Sequence, residues 1–228
     1  MLKVIKSKID EYLEFDSNSI FEGHDIDLIR IFGGAIRDII AEMPINDIDI
    51  LCGAKSIIPL ENVLKSKGYH YMESLTPKDL SSIYQDIKVI NEPHTWIKGN
   101  KVVQIIRPAN HIMKHPNKEG TSVDIYKKGF INLIQNVDMS CCGVSYDGIN
   151  LYESYPQSIL HCKHKVFKTN KKAIMYSKKR FSHRKYKLQD RGWQEISNDS
   201  DFRDIKLISI LEGINFDYVI EYEKNSIF

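Results

Sequence analysis

The chain has 228 residues, 42% of them hydrophobic and 27% charged, with a formal net charge of +2. That is enough chain for one large domain, or a domain with a small appendage, at an ordinary globular composition. No apolar run approaches the roughly 20 residues that cross a bilayer, and the N-terminal stretch MLKVIKSKIDEYLEF mixes acids and bases among its apolar positions, unlike a secretory signal, so a cytoplasmic location is expected.

The net charge conceals a division. Residues 161–191 hold 12 Lys and Arg against the single acid Asp190, a local balance of +11, while the remainder sums to −9. Such a segment suits either a polyanion or plain solvation. The four cysteines, Cys52, Cys141, Cys142 and Cys162, are expected to be reduced and mostly buried, because a chain of this length builds a core without disulfides. His161-Cys162-Lys163-His164 faintly resembles a metal cluster. Zinc needs about four ligands, and no partner pair stands at suitable spacing, so a solvated basic surface is expected there. His111 and His115, between Pro108 and Pro116, read as a surface pair.

In chain order, Leu2, Ile5, Ile9, Tyr12 and Leu13 predict an amphipathic helix over residues 1–14. Asp27 to Phe32 reads as a short strand that runs into Gly33-Gly34 and a helical segment, AIRDIIAEM. Pro44 and Asn46 turn the chain, and Asp47 to Cys52 alternates acid with Ile or Leu, the period of a strand with two distinct faces. Pro59 suits the first turn of a helix through Lys67, which Gly68 would stop. Trp96 falls in an expected loop, Lys101 to Ile106 reads as a strand, and residues 107–121 read as a loop. Strand-like stretches follow near 129–137, at Gly143 to Tyr146 and at Leu151 to Glu153, with Asp147-Gly148 as a hairpin signal. Residues 171–189 and 200–212 read as helices. Phe167, Tyr176, Phe181 and Tyr186 interleave with the basic run, as a core face or as platforms for unpaired bases.

The chemistry is concentrated in IFGGAIRDIIAEMPINDIDIL, residues 31–51. Asp47 and Asp49 are two apart on an expected strand, so they share a face with Cα atoms about 6.5–7 Å apart. Two such carboxylates suit hard divalent cations, and paired ions about 3.5–4 Å apart serve phosphoryl and nucleotidyl transfer. Gly33 and Gly34, lacking Cβ, let backbone N–H groups approach a phosphate at the start of a helix.

GGAIRD followed by NDIDI resembles the GG-x-V-R-D … D-x-D pattern of class II CCA-adding enzymes and bacterial poly(A) polymerases, within the polymerase-β nucleotidyltransferase superfamily. The resemblance implies an α/β (α+β) nucleotidyltransferase core with a mixed sheet over residues 1–155. A smaller helical, basic, neck-like region would follow over 156–228. It implies that Gly33 and Gly34 approach the triphosphate of an NTP and that Asp47 and Asp49 ligate Mg2+, two ions being expected with the nucleotide bound. Arg37 and Asp38 match the motif's RD and either support the loop or touch nucleotide. FINLIQNVDMSCCGVSYDG resembles a later family segment that sets Asp138 near the ribose, with Asn136 and Val137 standing where the family has arginines. SKKRFSHRKYKLQDRGWQ resembles the helix that joins core to neck, where Arg180, Arg184 and Lys185 would face nucleotide or nucleic acid while Gly192-Trp193 packs.

Family members usually carry a third carboxylate on a strand that corresponds here to VVQII, with Gln104 in its place. Asp124 or Asp138 would substitute, or two carboxylates suffice with the triphosphate completing the shell. The family's E-D-x-x-R nucleotide-selecting element is not evident, so full CCA synthesis is not expected. The resemblance implies transfer of a nucleoside monophosphate to an acceptor hydroxyl, most naturally RNA such as a tRNA 3′ end. The alternatives are a protein or small-molecule acceptor, and a catalytically degenerate nucleotide- or RNA-binding protein.

Overall fold

The computed structural model describes residues 1–24, 29–72, 93–106, 137–153, 155, 157–170 and 178–196, with the side chains of 54 and 178–180 outside the description. Helix α1 (Leu2–Leu13) buries Ile5, Ile9 and Leu13 along one stripe, the i, i+4, i+8 spacing that a 3.6-residue turn brings onto one face. It ends at Glu14, whose φ of 62° lies in the left-handed region and whose carboxylate meets Lys98 at 2.9 Å and Lys101 at 2.6 Å. A short α2 (Asn18–Phe21) follows.

Strand β1 (Ile29–Phe32) is buried throughout and runs through Gly33 into α3 (Gly34–Ile40). The helix stops sooner than the AIRDIIAEM reading, which reached Met43. Glu42 takes φ of 55°, while Met43 N–H bonds to Asp38 C=O and Glu42 N–H to Ile39 C=O, at 2.8 and 3.1 Å. This paired closure is a Schellman motif. It leaves Pro44 to Asn46 free to turn the chain back as β2 (Ile48–Cys52), antiparallel to β1. A 3-10 turn (Ala54–Ser56) leads into α4 (Ile57–Ser66), with Leu60 and Leu64 buried. The helix starts before Pro59, which still occupies the first turn, where its missing N–H has no helical acceptor.

The remaining strands are β3 (His70–Tyr71), β4 (His94–Lys98), β5 (Lys101–Ile106), β6 (Val144–Tyr146) and β7 (Leu151–Glu153). Together they make a seven-stranded mixed sheet in the order β3-β4-β5-β2-β1-β6-β7, with β2 and β5 parallel. Trp96, expected in a loop, is buried in β4. Its antiparallel pairing with β5 overrides the polar flanks that suggested a turn. The Asp147-Gly148 hairpin is present. Asp147 caps it by accepting the N–H groups of Ile149 and Asn150 at 2.8 and 2.6 Å. Gly148 sits at φ of 99°, with the Phe21 ring 2.7 Å from where a Cβ would stand.

One face of the sheet carries Ile31, Ile48, Ile50, Val103 and Ile105 into the core, and α3 packs on β1, β2 and β6. Strand alternation sends the next residues to the other face. There, Ser145, Phe32, Asp49, Gln104 and Thr95 stand side by side in one row across five strands.

Beyond the sheet, α5 (Ser158–Lys163) packs against α3 and against the 3-10 turn Ser140–Cys142. Strand β8 (Val166–Phe167) pairs in parallel with β9 (Gln194–Glu195), and α6 (Lys178–Asp190) lies between them in sequence. His161 and Cys162, expected on a solvated surface, are buried in α5. Ile159 and Leu160 are buried beside them, and His161 Nδ1 lies 2.6 Å from the Ser140 hydroxyl. Phe167 is fully buried and Phe181 packs against the core, while Tyr186 is exposed. All four cysteines are buried thiols outside any disulfide. The expectations for residues 107–121 with His111, His115 and Asp124, for 129–136, for Tyr176 and for 200–212 lie outside the described residues. No described helix is long and apolar enough to cross a membrane.

Candidate active site

The register of β1 and β2 assembles the site. Phe32 pairs with Asp49, and continuing that antiparallel register sets Gly34 opposite Asp47. The side chains agree with this. A Cβ added to Gly34 would stand 4.0 Å from Asp47 Oδ1 and 3.6 Å from Arg37 Nη2. Asp47 and Asp49 are each half-buried, whereas Ile48 and Ile50 are fully buried between and beyond them. The two carboxylates therefore lie away from the isoleucine face, with Asp47 beside the glycine turn.

The two glycines are required for different reasons. Gly33 has φ of 70° and ψ of −122°, a conformation that side chains avoid. Its N–H bonds to Val144 C=O and its own C=O accepts from Arg37 N–H, each at 3.0 Å. Gly34 has no positive φ, and a Cβ there would make only ordinary contacts. The fold does not demand glycine at position 34; what glycine leaves there is open backbone facing a carboxylate and a guanidinium.

Arg37 and Asp38 form the start of a buried charge network. Arg37 Nε donates to Asp38 Oδ1 at 2.7 Å and Nη1 donates to Cys142 Sγ at 3.4 Å, with the guanidinium 5.5 Å from the Trp193 ring centre. Both terminal nitrogens of Arg191 reach Asp38 Oδ2 at 3.1 Å. From α6, Arg184 donates to Asp138 at 3.0 Å and to Cys142 Sγ at 3.7 Å. A hydrogen bond from Cys141, together with the charges of Arg37 and Arg184, outweighs burial and holds the Cys142 thiol well below its ordinary value. Burial pushes Cys141 up. Burial also opposes the charge on Arg37, but Cys142 and Asp38 more than restore it.

The predicted residues thus divide. Gly34, Asp47 and Arg37 converge at the turn that Gly33 makes, and Asp49 follows two residues along the same strand face, beside Phe32. Asp38 faces Arg37 and Arg191, and Asp138 and Arg184 face each other, so the Arg184 guanidinium is paired within the protein while its side chain stays 35% exposed. The side chain of Arg180 is outside the described residues. Gln104 lies beside Asp49, as the strand comparison anticipated, with its Nε2 3.5 Å from the Thr95 hydroxyl. Cys142 and Arg191 carried no sequence signal for this network; their roles arise from contacts across 105 and 153 residues of chain. Tyr12, read only as a helix-face residue, also reaches the site, bonding to Asn46 C=O just ahead of Asp47.

Asp47 and Asp49 offer hard oxygen donors at a place left open by a missing Cβ, which fits a divalent cation bound with a phosphate group. No group of three His, Cys, Asp or Glu suited to a metal occurs among the described residues.

No family model and no curated protein matches the chain. Among solved structures, a CCA-adding enzyme in complex with CTP superposes with a TM-score of 0.55 over 92% of this chain, at 11% identity. The chain shares the fold of that CCA-adding enzyme over the part it covers. A CCA-adding enzyme with ATP covers 82% of the chain at 11% identity and a TM-score of 0.49. A tRNA-processing enzyme covers 91%, also at 11% identity and 0.49. The chain spans less than half the length of each: 46%, 38% and 48%.

Proposed function

We propose that the protein transfers a nucleoside monophosphate from an NTP to an acceptor hydroxyl, with Mg2+ held by Asp47 and Asp49. The observation that carries this reading is Gly34, a glycine the backbone does not need, facing the Asp47 carboxylate and Arg37 Nη2. In the reaction the acceptor oxygen bonds to the α-phosphorus and the bond from that phosphorus to the β-bridging oxygen breaks. Pyrophosphate leaves and the hydroxyl proton passes to solvent. The bound cation supplies positive charge to the triphosphate. The protein's own residues position it. Open backbone at 33–34 admits the phosphates, Arg37 turns an N–H edge to the same place, and Ile48 with Ile50 fixes the register that keeps both acids on one side.

RNA is the favoured acceptor. The superposed enzyme is a CCA-adding enzyme, and α6 turns His183, Tyr186 and Lys187 outward while Leu188 is buried. We assign the core to residues 1–155 and the acceptor-facing basic part to 156–228. Asp138 and Arg184 act through their mutual pair, supporting Arg37 from below by way of Cys142.

The test is incubation of the protein with each labelled NTP and magnesium against total RNA and total protein. Label is expected in RNA, and Asp47→Ala and Asp49→Ala should lose it while retaining native circular dichroism. Full turnover by either variant would overturn the assignment, and label in nuclease-resistant, protease-sensitive material would move the acceptor to protein. A second reading, nucleotide binding without turnover, is favoured by the neutral Gln104 beside Asp49. It predicts tight NTP binding with no pyrophosphate release from any of the four NTPs.

A further inference from the structure

Strands β2 and β5 pair in parallel from Ile48 opposite Val103 onward. Just ahead of that ladder a side chain from α1 stands between them. The Tyr12 hydroxyl donates to Asn46 C=O at 2.8 Å and accepts Val102 N–H at 2.8 Å, with Val102 C=O a longer 3.3 Å away. One oxygen thus replaces the direct N–H to C=O bond that would otherwise carry the ladder back toward residue 46. The peptide entering Asp47 is held apart from β5, and its carbonyl direction is fixed. Lys101 Nζ, 5.9 Å from the centre of the Tyr12 ring, closes the outer side, while the rest of α1 is anchored in the core by Ile5, Ile9 and Leu13.

We infer that Tyr12 is a positioning residue for the acid pair: by pinning Asn46 against β5, its hydroxyl aims the Asp47 carboxylate at Gly34. The inference rests on reading Asp47 and Asp49 as a divalent-cation site. Burial, opposed by the bond to Val102 and reinforced by the Asp47 carboxylate, holds the Tyr12 phenol above its ordinary value, in keeping with the closeness of the two groups. Groups that orient a metal ligand from behind typically change metal affinity by about 10- to 100-fold when removed. Loss of one aiming hydroxyl belongs at the lower end of that range.

The experiment is Mn2+ binding to the full chain, followed by electron paramagnetic resonance without nucleotide, together with melting temperature, for Tyr12→Phe, Asp47→Asn and the double variant. Tyr69→Phe is the control, because the Tyr69 hydroxyl also bonds to a backbone carbonyl at this same end of α1, that of Leu13 at 3.3 Å, rather than to the strand that leads into Asp47. Tyr12→Phe is expected to weaken Mn2+ binding about tenfold and to speed hydrogen exchange at the Val102 amide. In the Asp47→Asn background it should cause no further loss. Tyr69→Phe should lower the melting temperature and leave Mn2+ affinity unchanged. Wild-type Mn2+ affinity in Tyr12→Phe, or an equal loss in Tyr69→Phe, overturns the positioning role while leaving the acid-pair site standing. If Asp47→Asn itself binds Mn2+ like wild type, the cation site fails and the inference fails with it.

Discussion

Gln104 stands beside Asp49, in register across the parallel β2–β5 pair, with Phe32 on the other side of the acid. Asp49 is therefore the one charged residue in the row Ser145–Phe32–Asp49–Gln104–Thr95. A neutral amide is a poorer donor to a hard cation than a carboxylate, so this flank of the site contributes little to holding one. Gln104→Glu would place two like charges abreast, which destabilises a sheet until a cation bridges them. The expected result is a lower melting temperature without metal and Mn2+ binding about tenfold tighter, roughly 1.4 kcal/mol, measured by calorimetric titration. Gln104→Leu should leave Mn2+ affinity within about twofold of wild type. A Glu variant that binds Mn2+ no better would place the cation away from β5.

Gly33 and Gly34 are predicted to respond in opposite ways to alanine. At Gly33, φ of 70° with ψ of −122° penalises any side chain, and Gly33→Ala should cost about 1–3 kcal/mol of stability. At Gly34 the conformation is open to alanine and the nearest atoms are 3.6 and 4.0 Å away. Gly34→Ala should therefore raise stability by about 0.4–1 kcal/mol through the unfolded chain, while weakening NTP binding, since the methyl fills the space before Asp47. Chemical denaturation together with fluorescent-nucleotide titration separates the two effects. A Gly34→Ala protein that is stabilised and binds NTP normally would remove the triphosphate from this turn.

The site's inner part was legible in the sequence because its geometry is local. Strand, glycine turn, helix and returning strand span residues 29–52, and period-two alternation together with the turn residues is enough to set Asp47, Asp49 and the glycines on one side. The same holds for Gln104, whose strand stood out as KVVQII. What escaped was long-range. Trp96 sits among polar neighbours that suggest a loop, and only pairing with β5 makes it a strand. His161 and Cys162 belong to a basic stretch, yet Ile159 and Leu160 in the same short helix draw them inside. Arg184 reads as a charge facing nucleic acid and Arg191 as one more cation of the basic stretch, and in the structure Asp138 and Asp38 pair with them. No pattern along the chain reveals that pairing, because the partners are 46 and 153 residues apart.

Burial of His161, which is 1% exposed, predicts acid sensitivity. Desolvation first, then the charges of Lys168 and His164, depresses its pKa to about 4. The unfolded chain takes up this proton from about pH 6.5 downward, whereas the folded protein takes it up only near pH 4. Between those values the unfolded state holds more protons, so stability falls as pH falls, and the contribution levels off below pH 4. The loss across the window is on the order of 3 kcal/mol. Urea denaturation from pH 7 to 4 checks this. His161→Gln, which keeps a polar group toward Ser140 and cannot be protonated, should lower stability at pH 7 and flatten the slope. An equally steep slope in that variant would assign the acid sensitivity elsewhere.

Cys142 makes the opposite end of the pH range informative. Arg37, Arg184 and Arg191 meet Asp38 and Asp138 in this network, three cations against two carboxylates, and the Cys142 sulfur receives N–H groups from two of the three. A thiolate balances the group; a neutral thiol leaves one guanidinium uncompensated in a site where Cys142 is 1% exposed. Because the folded thiol is held well below the ordinary value of about 8.5, the unfolded chain carries more protons between those two values. Stability should therefore rise with pH through this window and reach its full value above about pH 8.5. Cys142→Ala removes the acceptor from both guanidinium groups and should cost roughly 3 kcal/mol at pH 8, with the rise abolished. Cys142→Ser, which keeps a hydrogen-bonding oxygen but no titrating group here, should recover part of the loss and none of the pH dependence. Thiolate absorbance near 240 nm, compared between wild type and Cys142→Ser across pH 5 to 9, locates the proton directly. If that signal first appears only above about pH 8.5, the sulfur is an ordinary buried thiol and the charge of the network is balanced by another group.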